Sequence, residues 1–221
     1  MPDSVTSDWK TKPTDRFILK WIKLNLSSRI TNEIIKWNWL KPWMITVFSM
    51  INGMFAGVLF ASGAGFWGGF FAGLAQVFDG VDGQVARLGG QATRAGAFLD
   101  SVLDRYSDGT LVIGLTIFNL RNDINVDQCY VLIVGTLALI GSGLISYSSS
   151  RAASLGIALG RPTLASKGSR TTFVALSGLL SPISLLVPLC ALIYLAIHTN
   201  AVVVYRILRV MSAPEPQNES H

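Results

Sequence analysis

FDGVDGQVARLGGQATRAGAFLDSVLDRYSDG, from Phe78 to Gly109, sets five carboxylates inside apolar stretches long enough to cross a membrane. An ionisable group at bilayer depth is costly unless it faces a cavity, a partner or a metal. Asp79 and Asp82 are three residues apart and share one helix face; Asp100 and Asp104, four apart, share another. Gly89 and Gly90 break the chain between the two helices, which makes them antiparallel neighbours and brings both acidic pairs to a similar depth. Acids this close repel one another unless a cation sits among them. Such an oxygen-rich site suits Mg²⁺, Mn²⁺ or Ca²⁺, as one ion or as two with a bridging group. Gly83 and Ala86 keep the backbone beside the acids open to a bulky ligand, and Gly96 removes bulk on the facing helix. Arg87 is placed to contact a phosphate or a base edge. Asp108 continues the face of Asp100 and Asp104 one turn deeper, where a buried partnership with Arg105 or nearby polar groups is expected.

The rest of the chain agrees with a membrane setting. Half of its 221 residues are hydrophobic and 14% are charged, unlike a soluble domain. The net charge of +5 forms no long basic run or aromatic-interleaved stripe, so nucleic acid is not an expected partner. Cys129 and Cys190 lack metal-ligand spacing and read as buried thiols. His198 and His221 have no visible partners, which argues against a His-based triad or zinc site. Residues 1–16 are polar and charged, so no cleavable signal peptide is expected.

The expected fold is all-α and polytopic. Flexible tails are expected at 1–15 and 213–221, an amphipathic juxtamembrane helix at 16–40, and a six-helix membrane domain at 41–212. In the juxtamembrane stretch Phe17, Trp21, Leu24, Ile30, Ile34 and Trp37 recur at about helical spacing. Lys20, Lys23 and Lys36 lie between them, as in a helix lying in the interface with its lysines toward anionic lipid. Spanning hydrocarbon takes roughly 20 apolar residues. The expected spans are 43–62, 66–87, 95–119, 128–150, a short fifth at 170–181, and 184–208 with Pro188 as a kink site. Gly53/Gly57 and Gly69/Gly73 have the spacing that lets helices pack closely, within the chain or across a dimer seam.

Charge distribution orients these spans. Eight Lys/Arg precede the first span, from Lys10 to Lys41; Arg87 and Arg94 flank the link after the second. Arg151, Arg161, Lys167 and Arg170 surround the link before the fifth, and Arg206 and Arg209 end the sixth. The other side holds Arg121 with Asp123 and Asp127. The positive-inside rule then expects both termini and the acids at the cytoplasmic face of the cell membrane.

The pattern D-x2-D-G-x2-A-R-x8-G-x3-D-x3-D is met by Asp79, Asp82, Gly83, Ala86, Arg87, Gly96, Asp100 and Asp104. On these residues the chain resembles the CDP-alcohol phosphotransferase (phosphatidyltransferase) family, whose plan of an amphipathic helix and six spans covers most of the chain. The resemblance implies Asp79, Asp82, Asp100 and Asp104 as ligands of Mg²⁺ or Mn²⁺, one or two ions. Asp104 is implied as the general base as well. Gly83, Ala86, Arg87 and Gly96 would surround a CDP-linked donor. A T-P-N-x-x-T stretch in many members is matched by Pro42 and Thr46, further donor candidates, while Trp43 stands in place of the Asn. The implied chemistry is transfer of a substituted phosphate from a CDP-alcohol, CDP-diacylglycerol foremost, to a polar alcohol, with CMP leaving. A homodimer is implied by the resemblance alone.

Arg94, Arg105, Arg151, Lys167 and Arg170 are candidates for an acceptor that carries its own phosphate, such as inositol phosphate or glycerol phosphate. Loop charge contacting lipid headgroups is the other reading of the same residues. Members that use inositol phosphate often carry Lys two residues before the Arg matching Arg151; here Ser149 stands there. Soluble CDP-inositol is an alternative donor. A divalent-cation carrier is the alternative of another class, but it gives Gly83, Ala86, Arg87 and Gly96 no role, and the motif acids all fall toward one side.

Overall fold

The computed structural model describes residues 10–11, 17–37, 39–122, 124–159 and 167–212. The tails expected at 1–15 and 213–221 lie outside the described residues, save Lys10 and Thr11, as do Asp123 and Arg161. Among the described residues the regular structure is entirely helical: α1 (Phe17–Ile22), α2 (Ser28–Ile34), α3 (Pro42–Ala61), α4 (Gly65–Leu88), α5 (Arg94–Arg121), α6 (Gln128–Ser154), α7 (Lys167–Leu180) and α8 (Leu186–Met211). A π-helical turn, Lys23–Ser27, joins α1 to α2.

Local sequence accounts for the boundaries. Pro42 opens α3 at a position where a proline's missing N–H costs nothing, after an extended Lys41. Gly63, at φ 94°, ends α3, and Gly90, at φ 62°, ends α4; both conformations disfavour any residue with a Cβ. The Thr93 hydroxyl caps α5 by accepting from the Gly96 N–H at 3.0 Å. Asp127 caps α6 in the same way, accepting from the Tyr130 N–H at 3.1 Å. Pro188 lies in the first turn of α8, where no i−4 carbonyl is displaced, so the kink expected there has no cause.

α3 packs along both α4 and α5, α6 along α8, and α7 lies against α4 and α8. One apolar core joins them through Phe60, Ala72, Leu115, Phe118, Ala138 and Leu192. Small residues set how closely the helices approach. A Cβ on Gly114 would meet the Gly57 backbone, and one on Gly69 would meet the backbone of Gly178. Gly53 faces Ser107 on α5, so the glycines of α3 serve packing within this chain.

α3, α6 and α8 are long and apolar enough to cross a membrane. They carry outward stripes such as Phe48, Ile51, Phe55 and Val58, which a water-soluble surface would not expose together. α4 and α5, at 24 and 28 residues, are also long, but acids interrupt them. α7 has 14 residues, a length of about 21 Å against a hydrocarbon core of about 30 Å.

The segment from α1 to α2 docks on α4 partly by polar groups. The Ser27 hydroxyl donates to the Val77 carbonyl at 2.8 Å, and the Thr31 hydroxyl donates to Gln84 Oε1 at 2.8 Å. Gln84 Nε2 donates to the Lys23 carbonyl at 2.9 Å and to the Lys10 carbonyl at 2.7 Å. Lys23 is buried against Gly80, unlike the outward lysine expected from periodicity. The π turn changes the angular register here, so Ile30 and Ile34 turn to an inner cluster with Ile45, Val81 and Val85, while Trp21 and Trp37 stay exposed.

Candidate active site

α4 and α5, joined through Gly89 and Gly90, are not the packed antiparallel neighbours expected from the sequence: each packs along α3 instead, and their acids still converge. Asp79, Asp100 and Asp104 each offer an oxygen, and the three atoms lie within 4.8 Å of one another. That spread is what opposite ligands of one ion with metal–oxygen distances of about 2.0–2.4 Å would need. Asp82 stands outside this trio. Its side chain is buried, it lies within electrostatic reach of Asp79 and Asp100, and its Oδ2 has no hydrogen-bond partner. A buried carboxylate oxygen left open is expensive, which is an independent sign that the acids are arranged for a cation.

Lys167, the first residue of α7, reaches into the trio. Its ammonium is 2.5 Å from Asp79 Oδ1 and also pairs with Asp104 Oδ1. One turn along α7, Arg170 donates to Asp108 Oδ2 at 2.7 Å, and both side chains are buried. Arg105 Nη2 lies 3.7 Å from Asp104 and 3.8 Å from Asp108. The expected partnership of Asp108 therefore exists, with Arg170 as its closer member. A small cavity beside this pair is lined by Ser142, Thr171 and Leu195.

The donor candidates fall around the acids. A Cβ on Gly83 would lie 3.2 Å from Arg87 Nη1, so the arginine folds back over that glycine. Ala86 is half-buried on the same helix. Gly96 meets only Thr93 of its own cap, which leaves the facing wall low. Thr46 is buried beside Asp82, with its hydroxyl donating to the Pro42 carbonyl at 3.2 Å. Among the acceptor candidates, Lys167, Arg170 and Arg105 gather at the acids. Arg94 and Arg151 are exposed at helix ends and stand apart from this cluster's ion pairs.

Two residues here escaped the sequence reading. Arg206 of α8 donates to the Ile145 carbonyl and Ser148 hydroxyl, each at 2.7 Å, and to the Ser149 hydroxyl at 3.0 Å. It counted only toward membrane orientation, although the serine run it grips was visible in SYSSSR. Gln84 sits between motif positions and was passed over; its complete burial in a polar helix segment was not readable from one strand of sequence.

Residues 39–214 match the family model described as CDP-alcohol phosphatidyltransferase. A phosphatidylinositol phosphate synthase of Mycobacteroides abscessus is 36% identical over 118 residues, 52% of this chain and 52% of that one. An archaetidylinositol phosphate synthase of Pyrococcus horikoshii is 30% identical over 147 residues, 66% of each chain. The matched segments thus span about half to two thirds of these relatives. The crystal structure of Mycobacterium tuberculosis phosphatidylinositol phosphate synthase with CDP-DAG bound shares the fold, with a TM-score of 0.74 at 24% identity, covering 89% of this chain and 98% of that one. With most of its length matched by the family model, the chain belongs to the CDP-alcohol phosphatidyltransferase family.

Proposed function

We propose that this chain is a metal-dependent membrane enzyme that transfers a phosphatidyl-type group from a CDP-alcohol, CDP-diacylglycerol foremost, to the hydroxyl of an inositol phosphate or glycerol phosphate class acceptor. The observation that carries this reading is the convergence of Asp79, Asp100 and Asp104 on one point between α4 and α5. The names of the relatives, phosphatidylinositol phosphate synthase and archaetidylinositol phosphate synthase, favour inositol phosphate as acceptor. A manganese and citrate complex of the Mycobacterium tuberculosis enzyme supports a divalent ion.

Asp79, Asp100 and Asp104 would hold the ion, with Asp82 and its open oxygen as a fourth ligand or the start of a second site. When bound, Mg²⁺ or Mn²⁺ offsets charge on the donor diphosphate and makes CMP a better leaving group. The acceptor oxygen attacks the phosphorus that bears the lipid, the bond from that phosphorus to the CMP oxygen breaks, and CMP departs with the bridging oxygen. Asp104 takes the hydroxyl proton. Gly83 and Ala86 would leave backbone room for the cytidine, and Arg87, which folds over Gly83, would contact a donor phosphate. Arg105, Lys167 and Arg170 supply the positive wall for an acceptor phosphate.

The same reading extends to the membrane. α3 to α8 form six membrane-embedded helices, with α7 short of full depth; α1 and α2 lie at the interface, where Trp21 and Trp37 are exposed. Both termini and the acids face the cytoplasm, and two copies form a homodimer. A second donor is favoured by the relatives named bifunctional IPC transferase and DIPP synthase, one of them from Aquifex aeolicus and 32% identical over 137 residues. In that case soluble CDP-inositol replaces the lipid donor.

Purified protein incubated with Mn²⁺ and either donor across a panel of acceptors is expected to release CMP, fastest with inositol phosphate and CDP-diacylglycerol. Absence of CMP with every combination sinks the transferase reading. Asp104→Asn is expected to keep donor binding and to lose about 10²–10⁴-fold in turnover; wild-type turnover would remove Asp104 as the base.

A further inference from the structure

Lys167 and a divalent ion are drawn to the same carboxylates. The ammonium pairs with Asp79 and Asp104, and those two acids supply two of the three converging oxygens. A divalent centre at about 2.0–2.4 Å from the same groups would lie within a few ångströms of a second full positive charge. Arg170, on the same face of α7 one turn later, is differently placed. It is buried, and it is fastened to Asp108, which is not among the three converging acids.

Resting on the metal-binding reading above, we propose that Lys167 is an exchangeable counter-ion of the acid cluster. It neutralises Asp79 and Asp104 in the metal-free protein, and a divalent ion displaces it. The Asp108–Arg170 pair keeps α7 in register while the Lys167 side chain moves. Three carboxylates in one half-buried place repel each other strongly. A tethered ammonium lets the helices hold their packing before the ion arrives. The displaced ammonium then adds to the positive wall that faces the acceptor.

Competition has a measurable signature. The apparent metal affinity of the wild-type chain is reduced by the fraction of protein whose site Lys167 occupies. Mn²⁺ titration of the detergent-purified full chain, followed by electron paramagnetic resonance without nucleotide, is expected to show Lys167→Met binding at least about tenfold tighter than wild type. Lys167→Arg, which keeps a cation, should stay near wild type. Metal-free Lys167→Met should melt below metal-free wild type, with the difference closing at saturating Mn²⁺. In the wild-type protein, acetylation of Lys167 by an amine reagent, read by mass spectrometry, should rise when Mn²⁺ is added. Equal or weaker Mn²⁺ binding in Lys167→Met overturns the exchange, and so does acetylation unchanged by Mn²⁺. Failure of every variant and of wild type to bind Mn²⁺ overturns the metal site as well, which separates the two readings.

Discussion

Asp108 and Arg170 form the ion pair with the greatest burial among the described residues, at 9% and 5% exposed. Removing Arg170 leaves the buried Asp108 carboxylate with only the more distant Arg105, at 3.8 Å, as counter-charge. Arg170→Leu is therefore expected to cost about 3–5 kcal/mol. Exchanging both residues for apolar ones of similar volume should recover most of that, because the pair's own desolvation cost is removed with it. Thermal unfolding of the single and double variants in detergent checks this, and a double variant as unstable as the single one would contradict it. Asp108 and Asp104 share a helix face, four residues apart, yet have different partners. Sequence spacing could align the five acids but could not tell which would meet an arginine and which a lysine.

The element whose behaviour periodicity described least well is the stretch from α1 to α2. Its apolar residues suggested one lipid-facing stripe, but the π turn divides them between solvent and core. Polar bonds then fasten the stretch to the back of α4. Gln84 donates two of these and accepts one, all within 2.9 Å. Gln84→Ala leaves the Lys23 and Lys10 carbonyls and the Thr31 hydroxyl without this partner. A loss of about 1–3 kcal/mol in the docking of the stretch is expected. Limited trypsin digestion should cut faster near Lys20 and Lys23 in that variant; an unchanged cleavage pattern would show the docking to be held elsewhere. At the crossing of α3 and α5, Gly114 meets the Gly57 backbone, so Gly114→Val is expected to force the helices apart. A destabilisation of about 1–3 kcal/mol from overpacking should appear as a lower unfolding temperature.

For the molecule as a whole, orientation is open to a direct chemical test. Cys129 and Cys190, expected from the sequence to be buried thiols, are both exposed, and Cys129 lies at the start of α6, at the opposite end of that helix from Arg151. In a Cys190→Ser chain, a membrane-impermeant maleimide is expected to label Cys129 from outside intact cells. A cysteine placed at Ser154 should react only after the membrane is opened. The reverse pattern would invert the proposed topology. Much of the helical layout was legible in the chain: the six stretches expected as spans coincide with α3 to α8 to within a few residues, because apolar runs, Pro42, Gly63, Gly90 and Thr93 act locally, while α3, α6 and α8 are the described helices long and apolar enough to cross a membrane. The acid motif was legible for the same reason, since helical spacing of three or four residues decides which carboxylates share a face. What only the tertiary structure decided are the long-range pairings. Lys167 meets Asp79 across 88 residues and Asp104 across 63, and Arg170 meets Asp108 across 62. Gln84 reaches back 61 residues to Lys23. Periodicity carries no information over such separations; they follow from how closely glycine lets α3, α4, α5 and α7 approach. The sequence by itself determined which residues could do the chemistry. The packing determined which three acids converge, which one stands apart, and which cation sits among them.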